Sequence, residues 1–139
     1  MTAPLPDDWR PPHRPSDDCG EAVLTAKCCS LRHEFLAALS GEMAGEAARD
    51  FGEILVLESW RELDRIALDL GDVTRVDLVG LACLWRVAES QEAAGGRFEV
   101  QSLSPRLLGR FRAFGLAGRL AVGQPGEVRS RLRHAEFES

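Results

Sequence analysis

Apolar residues along this chain change spacing from segment to segment, and each spacing predicts an element. Ala22 to Leu31 and Glu34 to Leu39 read as two strands joined by the polar pair Arg32-His33, a hairpin. In the first, Val23, Thr25 and Lys27 alternate with Leu24, Ala26 and Cys28, the period of a half-buried strand. Ser40-Gly41-Glu42 reads as the break after the second strand. Ala44 to Leu63 carries apolar residues at 47, 51, 54, 55 and 57, the spacing of an amphipathic helix with that face inward. Ile66 to Leu70 is short, mostly apolar and hardly alternates, which predicts a central strand covered on both faces.

Gly71 to Asp77 then reads as a loop, and Leu78 to Ala94 as a helix with Leu81, Leu84, Trp85 and Ala88 on its inner stripe. Gly95-Gly96 ends that helix, since glycine takes the left-handed cap without strain. Arg97 to Leu103 predicts another strand. Ser104-Pro105 is a helix start, in which serine caps free amides and proline suits the first turn. Leu107, Leu108, Phe111 and Phe114 form the buried face of that helix, and Gly115 closes it. Val122 adds a short strand, and Glu127 to Phe137 a last helix, expected to be exposed. Strands alternating with helices predict an α/β domain on a mixed sheet of four to five strands, helices mainly on one face.

The first eighteen residues stand outside this pattern. They hold five of the seven prolines together with four aspartates, so residues 1–18 are expected to be an extended tail and 19–139 the domain, with its core at about 21–122. Composition fits one soluble domain: 139 residues, 45% hydrophobic and 28% charged. No apolar run reaches the roughly 20 residues of a membrane-spanning helix, and Met1 to Asp8 lacks the pattern of a secretory signal. A cytoplasmic location is the expectation. The four cysteines, at 19, 28, 29 and 83, form no Cys-x-x-Cys, and Cys28 with Cys29 would face opposite ways in a strand. They are read as reduced core thiols, and neither a metal nor a cofactor is expected.

Charge is uneven. Residues 1–96 carry nine basic against eighteen acidic side chains, and residues 97–139 carry eight against four. The basic third, with Arg106, Arg110, Arg112 and Arg119, reads first as a solvated basic face, and the alternative is a surface for an acidic partner or an anionic lipid. No aromatic residues interleave with these arginines as a base-stacking platform requires, so nucleic acid is not expected as a partner.

The site-like stretch is Asp69 to Gly80, a buried strand leading through a loop and an acidic residue into a helix. Unpaired amides and partial positive charge gather at such a helix start. Asp77 is placed to cap it, its carboxylate accepting from amides near Gly80. A catalytic base is the lesser alternative, because no second acid, histidine or nucleophile falls nearby in sequence.

From about Glu21 to Val122 the chain resembles a STAS domain, the fold of bacterial anti-sigma factor antagonists and of the cytosolic tails of sulfate transporters. The likeness rests on Ser40-Gly41-Glu42, Ala47-Ala48, Leu68-Asp69-Leu70, Val73, Val76-Asp77 before Gly80, Gly95-Gly96-Arg97, Ser104-Pro105 and Phe114-Gly115-Leu116, in that order. The family's key motif resembles Asp-Ser-Ser/Thr-Gly, whose second hydroxyl residue is phosphorylated by a kinase that is also the anti-sigma factor. This chain has Asp77-Leu78-Val79-Gly80, with valine at the phosphoacceptor position. The resemblance implies a non-catalytic regulator that binds an anti-sigma factor or kinase-like ATPase to release a sigma factor, without phosphorylation at Val79. The candidate partner-binding residues are Asp72, Thr74, Asp77, Leu78, Val79 and Gly80. The alternative is a STAS subunit of a membrane-associated lipid-transport ATPase complex. An enzyme is not expected, since no Gly-rich phosphate loop with a lysine and no Ser/His/Asp set is present.

Overall fold

The computed structural model describes residues 24–118 and 120–138, so the predicted tail, residues 1–18, lies outside the described residues. In chain order the elements are β1 (Thr25–Ser30), β2 (Glu34–Met43), α1 (Gly45–Ser59), β3 (Arg65–Val76), α2 (Leu78–Ala93), β4 (Arg97–Gln101), α3 (Pro105–Phe114), β5 (Ala121–Val122) and α4 (Glu127–Glu138). The five strands form one sheet in sequence order. The hairpin β1–β2 is antiparallel, and β2–β3, β3–β4 and β4–β5 are parallel, each parallel pair being bridged by a helix. The mixed sheet is as predicted.

Its central strands are apolar because both faces are covered. Phe35, Ala37 and Leu39 of β2 and Ile66, Leu68 and Leu70 of β3 meet α1, α2 and α3 through Leu55, Leu84 and Phe111. On the opposite face, Leu36 and Ala67 meet Val128 and Leu132 of α4. Three helices thus lie on one face and one on the other. α1 and α2 pack closely: a Cβ on Gly52 would stand 2.7 Å from Cys83 Cβ.

Five expectations are corrected. Ser40-Gly41-Glu42 does not break the second strand, because β2 runs on to Met43. Gly71 to Val76 is no loop, because β3 runs twelve residues to Val76. The cause is shared: register shifts between Ala38 and Ser40 and between Gly41 and Glu42 interrupt the ladder, and Gly41 takes φ +100°. Bulges displace the inward positions from strict alternation, so Leu70, Val73 and Val76 all point to the main core at spacings of three. α1 is shorter than predicted and turned: Ala48, Phe51, Gly52 and Leu55 are its buried face, while Ala47, Ile54 and Leu57 are exposed. Of the described cysteines, Cys83 is buried, Cys29 half-buried and Cys28 exposed, so the reading as core thiols fails for Cys28, and Cys19 lies outside the described residues.

The fifth correction is α4, which packs one face on the sheet, while Ser130, Arg131, Arg133 and His134 stay exposed. Among the described side chains Val128 and Leu132 are its buried apolar contacts, one turn apart, and ion pairs and hydrogen bonds add to them. Arg65, buried in β3, donates to Glu127 of α4 at 2.5 and 3.1 Å, to Glu34 at 3.1 Å and to Glu99 at 3.1 Å. Arg129 reaches fully buried Asp69 at 3.0 Å and Asp72 at 3.0 Å. Gln101 accepts the Val128 N–H at 2.9 Å and donates to Glu127 at 3.0 Å. Hydrogen bonds from Arg65 hold Glu127 below the usual carboxylate range. Burial pushes Glu34 the other way, but Arg131 and Arg65 together hold it down as well.

Candidate functional site

The parallel strands bring the C-terminal end of β3 beside that of β2, where an open α/β sheet gathers its helix starts. Val76 ends β3, and Asp77 follows with extended backbone as the N-cap of α2. Asp77 Oδ1 accepts from the Gly80 amide at 2.8 Å, the predicted cap. Its Oδ2 accepts from the Gly45 amide at 3.1 Å, and its own N–H donates to the Met43 carbonyl at 3.3 Å. Gly45 opens α1, whose own N-cap, Ala44, offers no side-chain acceptor. One carboxylate therefore serves two helix starts and ties α1 to α2. Sequence reasoning missed the second bond, because it joins residues 32 apart.

Behind the cap, Gly80 lies against backbone: a Cβ there would collide with the Met43 carbonyl oxygen and stand 3.0 Å from Val76 Cγ1. In front of it, the two residues between cap and glycine differ in kind. Val79 is half-buried and leans on the main core, whereas Leu78 is 66% exposed. Leu78 is thus the apolar tip of the helix start, ahead of Val79. From the neighbouring helix, Arg110 of α3 donates to the Val76 carbonyl at 2.9 Å, a contact not foreseen from sequence.

The remaining predicted residues do not join this patch. Asp72 sits towards α4, paired with Arg129, and the Thr74 hydroxyl donates to the Gly41 carbonyl at 3.2 Å. Asp77, Leu78, Val79 and Gly80 converge; Asp72 and Thr74 belong to neighbouring surfaces. Both Asp77 oxygens are engaged by amides, which makes this residue a positioning group for the two helices. Among the described residues, no three metal-ligating side chains cluster. Asp77→Ala should cost about 1–2 kcal/mol, the upper range for an N-cap because two amides lose their acceptor. A denaturant melt checks this, and a loss below about 0.5 kcal/mol would deny the double cap.

A family model described as "Mlab, STAS domain" matches residues 31–123, two thirds of the sequence. The chain belongs to the STAS domain family. No curated protein sequence matches it. Among solved structures, the anti-sigma factor antagonist SpoIIAA in its unphosphorylated form superposes with a TM-score of 0.65 at 18% identity, over 79% of this chain and 97% of that one. An anti-sigma factor antagonist from Mycobacterium paratuberculosis gives 0.64 at 18% identity, over 79% and 94%. The murine solute carrier 26 family member A9 anion transporter gives 0.58 at 13%, over 70% of this chain and 17% of the transporter. At these identities the STAS fold is what the likenesses share. In this STAS domain the Asp-x-x-Gly frame is held by capping and by the close approach of Gly80, while the positions between, Leu78 and Val79, carry no hydroxyl.

Proposed function

We propose that this STAS domain acts by binding and not by catalysis, as an anti-sigma-factor-antagonist-like regulator in the cytoplasm. Its α2 start docks onto an anti-sigma factor or a related kinase-like ATPase, and competition for that partner releases a sigma factor. The observation that supports this is Leu78, a large apolar side chain 66% exposed at the tip of a rigidly capped helix. Val79 offers no oxygen to phosphorylate, so binding is not switched by phosphate at this position.

Leu78→Glu tests the patch. A negative charge in the first turn is favoured by the helix dipole, and little buried area is lost, so the free protein should melt as the unmodified chain does. In a docked interface the unpaired charge should weaken binding at least about tenfold. The assay is titration against the ATPase captured from native lysate. Undiminished binding by Leu78→Glu would remove this patch from the interface, and phosphate taken up by the unmodified chain in the presence of kinase and ATP would remove the unswitched reading.

The family model's description, Mlab, favours a second reading, a STAS subunit of a membrane-associated lipid-transport ATPase complex. Of the basic residues that suggested it, Arg106, Arg110 and Arg112 are exposed on α3, and Arg119 lies outside the described residues. A histidine-kinase-like ATPase as the captured partner supports the first reading, and an ABC-type ATPase the second.

A further inference from the structure

Beside the α2 patch, between the end of β3 and the first turn of α3, lies a cavity of about 360 Å³ lined by Glu42, Thr74, Arg75, Arg106 and Arg110. Three arginines and one glutamate among its lining residues give a net charge of +2. Arg75 stands 3.6 Å from Glu42, and Arg110 is braced by the Val76 carbonyl at 2.9 Å. Arg106 makes no ion pair among the described residues.

The placement of Arg106 breaks two local rules. The first turn of α3 contains no acidic residue and does contain this cation, where the helix dipole disfavours positive charge. Arg110 follows one turn later, so two like charges sit at i and i+4, also unfavourable. Arg112, in the last turn of the same helix, obeys the rule that Arg106 breaks. An anion in the cavity relieves both conflicts at once, and local conflict of this kind is expected where a site has a function.

We propose that this cavity binds a phosphomonoester dianion. The charge of the ligand matches the net charge of the lining, and guanidinium forks suit phosphate oxygens. The cavity also exceeds the size of a bare phosphate, leaving room for the organic part of an ester. The site shares no residue with the Leu78–Val79 patch, so it stands or falls separately from the docking reading. The phosphate has two possible sources, a soluble ester or the headgroup of a phosphatidic acid, and the test separates them.

The full chain is titrated with inorganic phosphate against chloride at equal ionic strength, with amide chemical shifts followed by NMR. Saturable shifts are expected at Thr74, Arg75, Arg106 and Arg110 with phosphate only. Arg106→Glu should weaken phosphate at least about tenfold. The same change should leave the melting temperature equal or higher, since it puts an acid at the helix start and a Glu–Arg pair at i, i+4. Should Arg106→Glu melt lower, Arg106→Gln decides by its own phosphate titration, with several-fold weakening still required. Sedimentation with vesicles of phosphatidic acid in phosphatidylcholine, compared with phosphatidylcholine alone, identifies the source. Binding lost in Arg106→Glu marks the headgroup, and phosphate binding without vesicle binding marks a soluble ester. Shifts that chloride reproduces, or phosphate affinity unchanged in the Arg106 variants, overturn the proposal.

Discussion

Gly80→Ala should destabilise this domain by about 2 kcal/mol, although alanine is the better helix former. Gly80 is the third residue of α2. Exchanging glycine for alanine inside a helix favours folding by roughly 0.5–1 kcal/mol. Against that, the new methyl runs into the Met43 carbonyl oxygen and stands 3.0 Å from Val76 Cγ1. A backbone carbonyl cannot turn aside as a flexible side chain can. This one is also held in place, accepting the Asp77 N–H at 3.3 Å. Overpacking costs typically ~1–3 kcal/mol, and a collision with fixed backbone belongs at the upper end. About 3 less about 1 leaves the stated loss. The melting temperature should fall by on the order of 5–10 °C for a domain of this size. Gly109, in α3, has open space where its Cβ would be, so Gly109→Ala should be neutral or stabilising in the same melt. A Gly80→Ala protein as stable as the unmodified chain would mean that α2 slides outward freely, and the close-approach account of the Asp-x-x-Gly frame would be wrong.

The motif could be read from sequence, but not the reason for its glycine. Asp77 as a cap follows from a short acidic residue before an apolar helical stripe, because capping is local. The collision at Gly80 depends on Met43, 37 positions earlier, and the Gly45 bond depends on α1 starting beside it; no local spacing encodes either. Val79, at the family's phosphoacceptor position, reads from sequence as the leading partner contact, but the rotation of α2 against the sheet makes Leu78 the tip and Val79 the wedge. Alternation and the 3.6-residue period found the elements wherever a face was buried evenly. They failed at β2 and β3 past Ala38 and Leu70, where bulges shift the register and Gly41 adopts a positive φ. In α1 the longer apolar side chains Ile54 and Leu57 outweigh Ala48 and Gly52 in the pattern, yet Gly52 is the residue that lets α2 approach.

α4 failed for a different reason, and that reason leads to the second large effect. A helix as rich in charged residues as Glu127 to Glu138 looks solvated, and Arg65 looks like a polar boundary before Ile66. Part of the attachment is electrostatic, and its hub is a strand residue whose partners come from β2, β4 and α4. Arg65→Met is expected to cost about 3 kcal/mol at neutral pH. Methionine fills similar volume, so packing is largely kept. What is lost is the cation: Glu99, only 9% exposed, and the partly covered Glu34 and Glu127 are left facing one another. Removing one member of a buried ionic group costs ~3–5 kcal/mol. The lower end applies because Arg97 still holds Glu99 at 2.7 Å and Arg131 still holds Glu34 at 2.8 Å.

The pH dependence separates this account from simple loss of packing. In the unmodified chain, Glu34 and Glu127 have folded pKa values below their ordinary value of 4.5. Carboxylates lowered in this way bind fewer protons folded than unfolded. Their stabilisation is complete above the ordinary range and disappears as pH falls through the lowered values. Stability should therefore decline on acidification. In Arg65→Met the sign reverses, because crowded carboxylates take up protons more readily folded than unfolded, and acidification relieves their repulsion. Denaturant melts at pH 7 and near pH 5 should bring the two proteins closer together at the lower pH. A deficit that stays constant between them would mean that Arg65 acts through its packing alone, and that its ion pairs do not hold α4.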